Sequence, residues 1–338
     1  MLYRVLKLSY LKFYLLIMSS SIFATDLTSC WKSTNFLADK HIDFIMGYKQ
    51  DIYAVGGNVQ NQGEGWRYTN GKWKTIYKAG DDSIISNAVL YGDDLYVSGN
   101  SAESGGWLIQ YFPDGESRID LKVRFAEQIT ALDRYQEQIV VGGSNLHGQG
   151  AIWLYSPLSK KWKTISPSGF KIINAVLVDR NGLIYAAGVD YKAQKAKIVR
   201  YISGKWQDTR LSTGVVNVDE LVVDKYNTIY ASGLDEDYHA HIWKFIANKW
   251  VMSKLGTQQA INSMQLADDG TIYVAGKDEK FHGEVWHYDG KLWTRLDFPL
   301  ADSATSLAFN SHHQLFASGI DKQNNSQVWM CDLAESAK

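Results

Sequence analysis

One short hairpin recurs through this chain at a nearly fixed interval, and that periodicity limits the fold more than any other feature. "GKWKTIYKAG" spans Gly71–Gly80, "KKWKTISPSG" Lys160–Gly169, "GKWQDTRLSTG" Gly204–Gly214, "NKWVMSKLGT" Asn248–Thr257 and "GKLWTRLDFP" Gly290–Pro299. A sixth version, "TSCWKSTNF", stands apart at Thr28–Phe36. A unit that repeats every 40 to 50 residues cannot bury its apolar faces alone and must stack on copies of itself.

Two markers set the period. Aligning on the glycine after each "IYVAG"-like stretch selects Gly56, Gly99, Gly142, Gly188, Gly233, Gly276 and Gly319, at steps of 43 to 46 residues. A second marker, Trp66, Trp107, Trp153, Val199, Trp243, Trp286 and Trp329, runs in phase with it. Each copy divides into four short strands, a to d. In the sixth they are "INSMQLA", "TIYVAG", "EVWHY" and "LWTRL", separated by "DDG", "KDEKFHG" and "DGK". Asp-Gly and Asn-Gly suit tight hairpins because their backbones accept positive φ. Four-stranded antiparallel modules of about 43 residues are propeller blades. The expectation is therefore an all-β, seven-bladed β-propeller.

The isolated hairpin has a place in that ring. The seventh copy supplies strands a, b and c but no strand d, and Trp31 precedes Trp73 by one period. The N-terminal strand is expected to complete the last blade, removing two sheet edges that an open array would expose. Cys30 and Cys331, the two cysteines of the chain, fall on the same hairpin of this composite blade. Strict register places Trp31 opposite Cys331, so a Cys30–Cys331 bridge would be diagonal; the alternative is two free, buried thiols.

Arg4, Lys7 and Lys12, the apolar run Phe13–Met18 and the small residues leading to Ala24 read as a secretory signal over residues 1–24. An uncleaved anchor is the alternative, although the apolar run is short and Lys12 interrupts it. Residues 25–338 then form one exported propeller domain, periplasmic or secreted, with no membrane insertion after cleavage. Lys plus Arg number 35 and Asp plus Glu 36, a balance that offers no case for nucleic acid.

The repeats resemble kelch-type propellers, the architecture of the galactose-oxidase central domain. "IYAVGG…GWRYTNGKWKTI" and "IVVGG…IWLYSPLSKKWKTI" carry that family's double glycine followed by spaced Tyr and Trp, while the other five copies keep a single glycine and copy two replaces the hairpin Trp with "PDGESRI". The resemblance implies a propeller that serves more often as a protein-binding scaffold than as an enzyme.

In such a ring, strand a lines the central channel, and the b–c and d–a loops share one face. A small polar residue recurs two positions after the aligned glycine: Asn58, Ser101, Ser144, Asp190, Asp235, Asp278 and Asp321. Side chains of this type cap loops by accepting backbone N–H groups, and the same ring could instead hold a ligand. The richest loops are "DEDYHAH" (Asp235–His241) and "DEKFHG" (Asp278–Gly283). Asp190, Tyr191, Asp235, Asp237, Tyr238, His239, Asp278, Phe281 and His282 are the candidate contact residues, and Tyr191, Tyr238 and Phe281 could also serve a sugar ring. His239, His241 and His282 with nearby carboxylates are a weaker candidate metal set.

No phosphate loop, dinucleotide fingerprint, HExxH or G-x-S-x-G motif is present. No cofactor is expected, and "HH" at His312–His313 is expected in an a–b turn. Asp133 and Glu220 are the inward carboxylates that a glycan-processing enzyme would require. The leading expectation is a non-catalytic scaffold for a protein partner; a carbohydrate-binding propeller and a glycan-processing enzyme are the alternatives.

Overall fold

The computed structural model describes residues 30–333, apart from 37–39, 59, 61, 79–82, 102–104, 112–117, 121–122, 124–125, 213, 254–257, 297 and 300. The proposed leader lies outside the described residues. Seven four-stranded antiparallel sheets form the structure. Blade one shows the pattern, with strands a to d at Lys40–Tyr48, Asp51–Asn58, Gly63–Thr69 and Lys72–Lys78. Seven apolar clusters lie among the described residues, one at each junction of neighbouring blades. This explains why strands b and c are apolar on both faces: each blade is covered from two sides.

Blade seven is composite. Ala301–Phe309, Gln314–Asp321 and Ser326–Asp332 form its strands a to c, and the N-terminal Trp31–Ser33 pairs antiparallel on the outside as strand d. Trp31 lies opposite Cys331, and Cys30, one residue away, forms the disulfide with Cys331 across a Cα–Cα distance of 4.7 Å. The bridge is thus diagonal, and it joins positions 301 residues apart.

The hairpin tryptophans hold the rim together. Tyr68/Trp73, Tyr155/Trp162, Tyr201/Trp206, Phe245/Trp250 and Tyr288/Trp293 are direct cross-strand partners, with ring centroids 4.8–5.1 Å apart. Their indoles also reach backwards round the ring. Trp73 donates to Thr34 Oγ1, Trp206 to the Ile165 carbonyl, Trp250 to Thr209 Oγ1 and Trp293 to Ser253 Oγ, each on the preceding blade. Trp31 of the closing strand does the same to the Leu296 carbonyl of blade six, at 3.1 Å.

Two sequence markers shift. In blade three the equivalent glycine is Gly143, not Gly142. At the aligned position of blades one, four, five, six and seven a Cβ would meet a strand a carbonyl oxygen at 2.0–2.1 Å, and in blade three it is Gly143 that faces such a carbonyl, Gln128 O at 1.9 Å. Close approach of backbone to backbone is what demands glycine there. In blade two the residue equivalent to the marker Trp is Ile109, which pairs with Val97; Trp107 pairs with Gly99 instead.

Replacing both cysteines by Ala should lower unfolding stability by up to about 5 kcal/mol, the chain-entropy bound for a loop this long. Denaturant titration of that variant against the oxidised wild type measures the loss. Equal midpoints would mean that the closing strand holds without the bridge.

Candidate functional site

Two surfaces gather polar chemistry. The first is the channel, a cavity of about 280 Å³ walled by strand a of all seven blades. Every strand a carries a bulge at one equivalent position, and the extra residue is always polar: Asp43, Ser86, Thr130, Asn174, Asp219, Asn262 or Thr305. A bulge leaves one residue out of the ladder and turns its side chain away from the sheet, here into the channel. Much of this ring is spent on joining blades. Ser86 donates to the Ile129 carbonyl, Thr130 to the Ile173 carbonyl, Asn174 to Asn217 and Asn262 to the Ala304 carbonyl, each on the next strand a. One position further on, Glu220, Ser263 and Ser306 accept from the Met264, Leu307 and Ile45 amides of the following blade.

The inward carboxylates sit differently from the expected Asp133/Glu220 pair. Asp133 accepts from the Val178 and Arg134 amides, and burial raises its pKa to about 6 against the opposing pull of those N–H groups. Glu220 lines the channel beside its chain neighbour Asp219. Burial pushes Glu220 up to about 8, with the Met264 amide opposing and the Asp219 charge adding to the rise. Asp219 rises to about 6; water reaches it through the channel, but protein encloses it on most sides. At neutral pH the Glu220 carboxyl is therefore mostly protonated.

The second surface is the b–c/d–a face. In blades one and three to seven a polar residue at the head of the b–c loop works first as a cap. One carboxylate oxygen of Asp235 accepts from the Asp237 and His239 amides, Asp278 from Lys280 and His282, and Asp321 from Gln323 and Asn325. Asn58 does likewise for Gln60 and Gln62. In blade three the capping residue is Asn145, not Ser144, following the one-residue shift of the glycine. Asp190 caps a loop one residue longer, accepting from the Lys192 and Ala193 amides, and its own N–H reaches the Lys195 carbonyl. Those amides hold Asp190 below the ordinary carboxylate range. Burial opposes the same shift at Asp235 and Asp278, but their N–H and histidine partners prevail.

The candidate histidines divide between two loops. His241 Nε2 lies 2.7 Å from Asp235 Oδ2 and His239 Nδ1 3.9 Å from Asp235 Oδ1, whereas His282 Nδ1 faces Asp278 Oδ2 at 3.5 Å. The structure instead brings ligand atoms of Asp235, Asp237 and His239 within 4.8 Å of one another. Asp235 Oδ1 is already engaged by two backbone amides there. His312 and His313 do lie in an a–b turn on the opposite face, capped by Asn310.

The aromatics are the outward feature. Tyr191, Tyr238 and Phe281 are 59%, 71% and 63% exposed. Tyr238 and Phe281 occupy the same position in adjacent loops, three residues after the cap, with φ of 61° and 62°. Gly148 and Asn324 fill that position in blades three and seven, again with positive φ. The left-handed region suits glycine and asparagine and disfavours bulky side chains.

No family model matches the sequence, and no curated protein matches it. Solved structures do. The WD40 β-propeller domain of Doa1 superposes with a TM-score of 0.65 at 11% identity, covering 88% of this chain and 96% of that one. A chain of the Mitotic Checkpoint Complex gives 0.66 at 12%, covering 97% and 98%. The extracellular domain of the putative hybrid two component system BT4673 from B. thetaiotaomicron gives 0.65 at 11%, covering 88% of this chain and 39% of that one. The fold is that of a seven-bladed propeller. At these identities the likeness speaks of fold alone.

The channel acid predicts a pH effect. A carboxyl whose folded pKa is raised binds more protons folded than unfolded between about 4.5 and 8, so stability falls as pH rises through that window. Glu220→Gln keeps the acceptor for Met264 and removes the titration. Its Tm should match wild type near pH 4 and exceed it by about 2–4 °C at pH 9, the shift expected for roughly 1 kcal/mol in a large domain. Parallel thermal melts across that range would show no divergence if Glu220 ionised freely.

Proposed function

We propose that this protein is an exported, non-catalytic binding scaffold of kelch-like type that takes a protein partner on its b–c/d–a face. The observation that carries the reading is the placement of Tyr238 and Phe281. Two adjacent loops each hold an exposed aromatic in a backbone conformation where glycine or asparagine would be less strained. Local strain is kept where neighbouring structure holds it and a task uses it. Exposed aromatics among polar groups are typical anchors for a partner surface, since they bury much area for little side-chain entropy.

The loops are also fixed in advance. The Glu236 amide donates to the Gly214 carbonyl in the preceding d–a connection, and Tyr191 does the same to Gly169. Lys195 pairs with Glu236, tying loop four to loop five. A surface that is already ordered loses less entropy on association. Export is supported by the basic-apolar leader and by the Cys30–Cys331 disulfide, which suits an oxidising compartment. The similar propellers include a member of a protein complex and an extracellular domain.

Function and stability should move in opposite directions at the two tips. The double variant Tyr238→Gly/Phe281→Gly is expected to gain roughly 1 kcal/mol per site by relieving the left-handed strain. It should also lose at least tenfold in capture of the partner that wild type retains from an extracytoplasmic extract. Undiminished capture by this better-folded variant would remove the loops from the binding surface. For export, N-terminal sequencing of protein recovered from the extracytoplasmic fraction should start at Thr25; an intact Met1 on a cytoplasmic protein would refute it.

A further inference from the structure

A concavity of about 630 Å³ opens on the b–c/d–a face between blades three and four. Its walls come from three segments distant in sequence. Asn145 and Gln149 belong to the b–c loop of blade three, Ser166–Gly169 to the connection into blade four, and Asp190, Tyr191 and Lys192 to the b–c loop of blade four. Gly150 and the buried Phe170 form the floor, where a Cβ on Gly150 would meet the Phe170 Cβ at 2.6 Å. Lys197 completes the wall, with Nζ 5.7 Å from the Phe170 ring centroid and 3.8 Å from both Asp190 and Asp208.

The blade-four loop is built differently from its equivalents. Capped loops in blades one, three, five, six and seven close with a hydrogen bond from the cap amide to the carbonyl four residues on, whereas Asp190 closes on Lys195, five residues on. Blade four also places an aromatic directly after the cap. At that position the other loops carry Leu146, Glu236, Glu279 and Lys322 in blades three, five, six and seven. The Tyr191 amide is held 2.7 Å from the Gly169 carbonyl, so this exposed ring stands at the cleft wall on an ordered backbone.

We propose that this cleft is a binding subsite for a neutral saccharide, independent of the partner surface at Tyr238 and Phe281. A pyranose has an apolar face of C–H groups and a rim of hydroxyls that both donate and accept. The cleft offers an aromatic platform, Tyr191, beside donors and acceptors in close array. Asp190 spends Oδ1 on two loop amides and keeps Oδ2 for a hydroxyl. Asn145 spends Oδ1 likewise and keeps its amide group to donate. The volume lies within the usual range of small-molecule sites. A phosphate or other anion would meet Lys192 but fits less well: Lys197 is flanked by two carboxylates, and Asp190 faces the same space. An apolar ligand would strand these polar groups without water.

The test is an oligosaccharide array spanning neutral hexoses, N-acetylhexosamines and uronates, probed with the purified protein. Titration calorimetry on the best binder then compares variants. Saturable binding of a neutral sugar is expected, weakened about tenfold or more by Tyr191→Ala, retained by Tyr191→Trp and unchanged by Tyr238→Ala/Phe281→Ala. Because Tyr191 is largely exposed, its loss should leave the melting curve in place. No binding above background, binding indifferent to Tyr191→Ala, or binding confined to uronates would each overturn the proposal. A failure here leaves the Tyr238/Phe281 surface untouched, since that reading is measured with a different ligand and different variants.

Discussion

The structure depends on one junction, where the N-terminal strand docks as the outer strand of blade seven. In blades one, four and five strand d follows strand c through a two-residue turn. In blade seven strand d comes from the N-terminal segment, with Trp31, Lys32 and Ser33 in register and Thr34 donating to the Val328 carbonyl. So short a ladder is a weak hold for a segment with no connecting turn. The segment is secured instead from both sides. Trp31 reaches the Leu296 carbonyl of blade six and packs edge-on against Phe298, while Trp73 of blade one reaches Thr34. Phe36 then inserts between Trp66 and Trp73, at ring centroid distances of 5.2 and 4.9 Å. The covalent bridge adds a constraint on the unfolded chain that none of these contacts can supply.

A similar division of labour recurs round the ring. At the outer rim, an indole of blades one, four, five, six and seven is bonded to the blade before it. At the inner rim, the bulge residues of blades two, three, four and six reach the blade after them. Blades joined in this way meet through an apolar cluster with polar bonds at its edges. This arrangement ties the relative angle of blades to specific hydrogen bonds, which apolar packing alone does not fix. It also accounts for the acids in the channel. Asp219 and Glu220 stand in positions whose equivalents are mostly uncharged, and Glu220 still performs the structural duty by accepting from Met264. Its raised pKa, the result of burial and of the neighbouring Asp219 charge, favours the neutral form that such a setting accepts more readily.

Architecture was legible from the chain because it rests on backbone requirements that repeat: turn residues with positive φ, a glycine under a carbonyl, aromatic pairs at fixed distance. Where those signals are ambiguous, the sequence does not determine the register of a blade. The doublet Gly142–Gly143 offers two glycines, and only packing against Gln128 selects the second. Trp107 attracts attention by its type, yet its structural counterpart is the inconspicuous Ile109. The channel ring has no signature in the sequence because its residues differ in type, from Asp to Thr, and share only a position, directly after the apolar residue that closes the first half of strand a. The blade three–four cleft could not be read at all from local pattern. Ser166–Gly169 look like an ordinary connection until the fold sets them beside Asn145 and Tyr191.

The repeated Asx residues serve a structural role that the geometry makes explicit. A carboxylate has two oxygens, and in these loops they face different tasks. Oδ1 of Asp235, Asp278, Asp321 and Asp190 each takes two backbone amides and fixes the loop. The second oxygen is left to whatever the loop presents: His241 in blade five, His282 in blade six, Asn325 and Gln327 in blade seven. In blade four its neighbour is Lys197 at 3.8 Å, too far for a hydrogen bond, and both residues line the cleft. The same side chain therefore fixes the loop with one oxygen and meets a different neighbour in each blade with the other. A repeat can keep its capping residue for stability while the positions that follow diverge from blade to blade, which is how a ring of near-identical modules acquires a face that differs around its circumference.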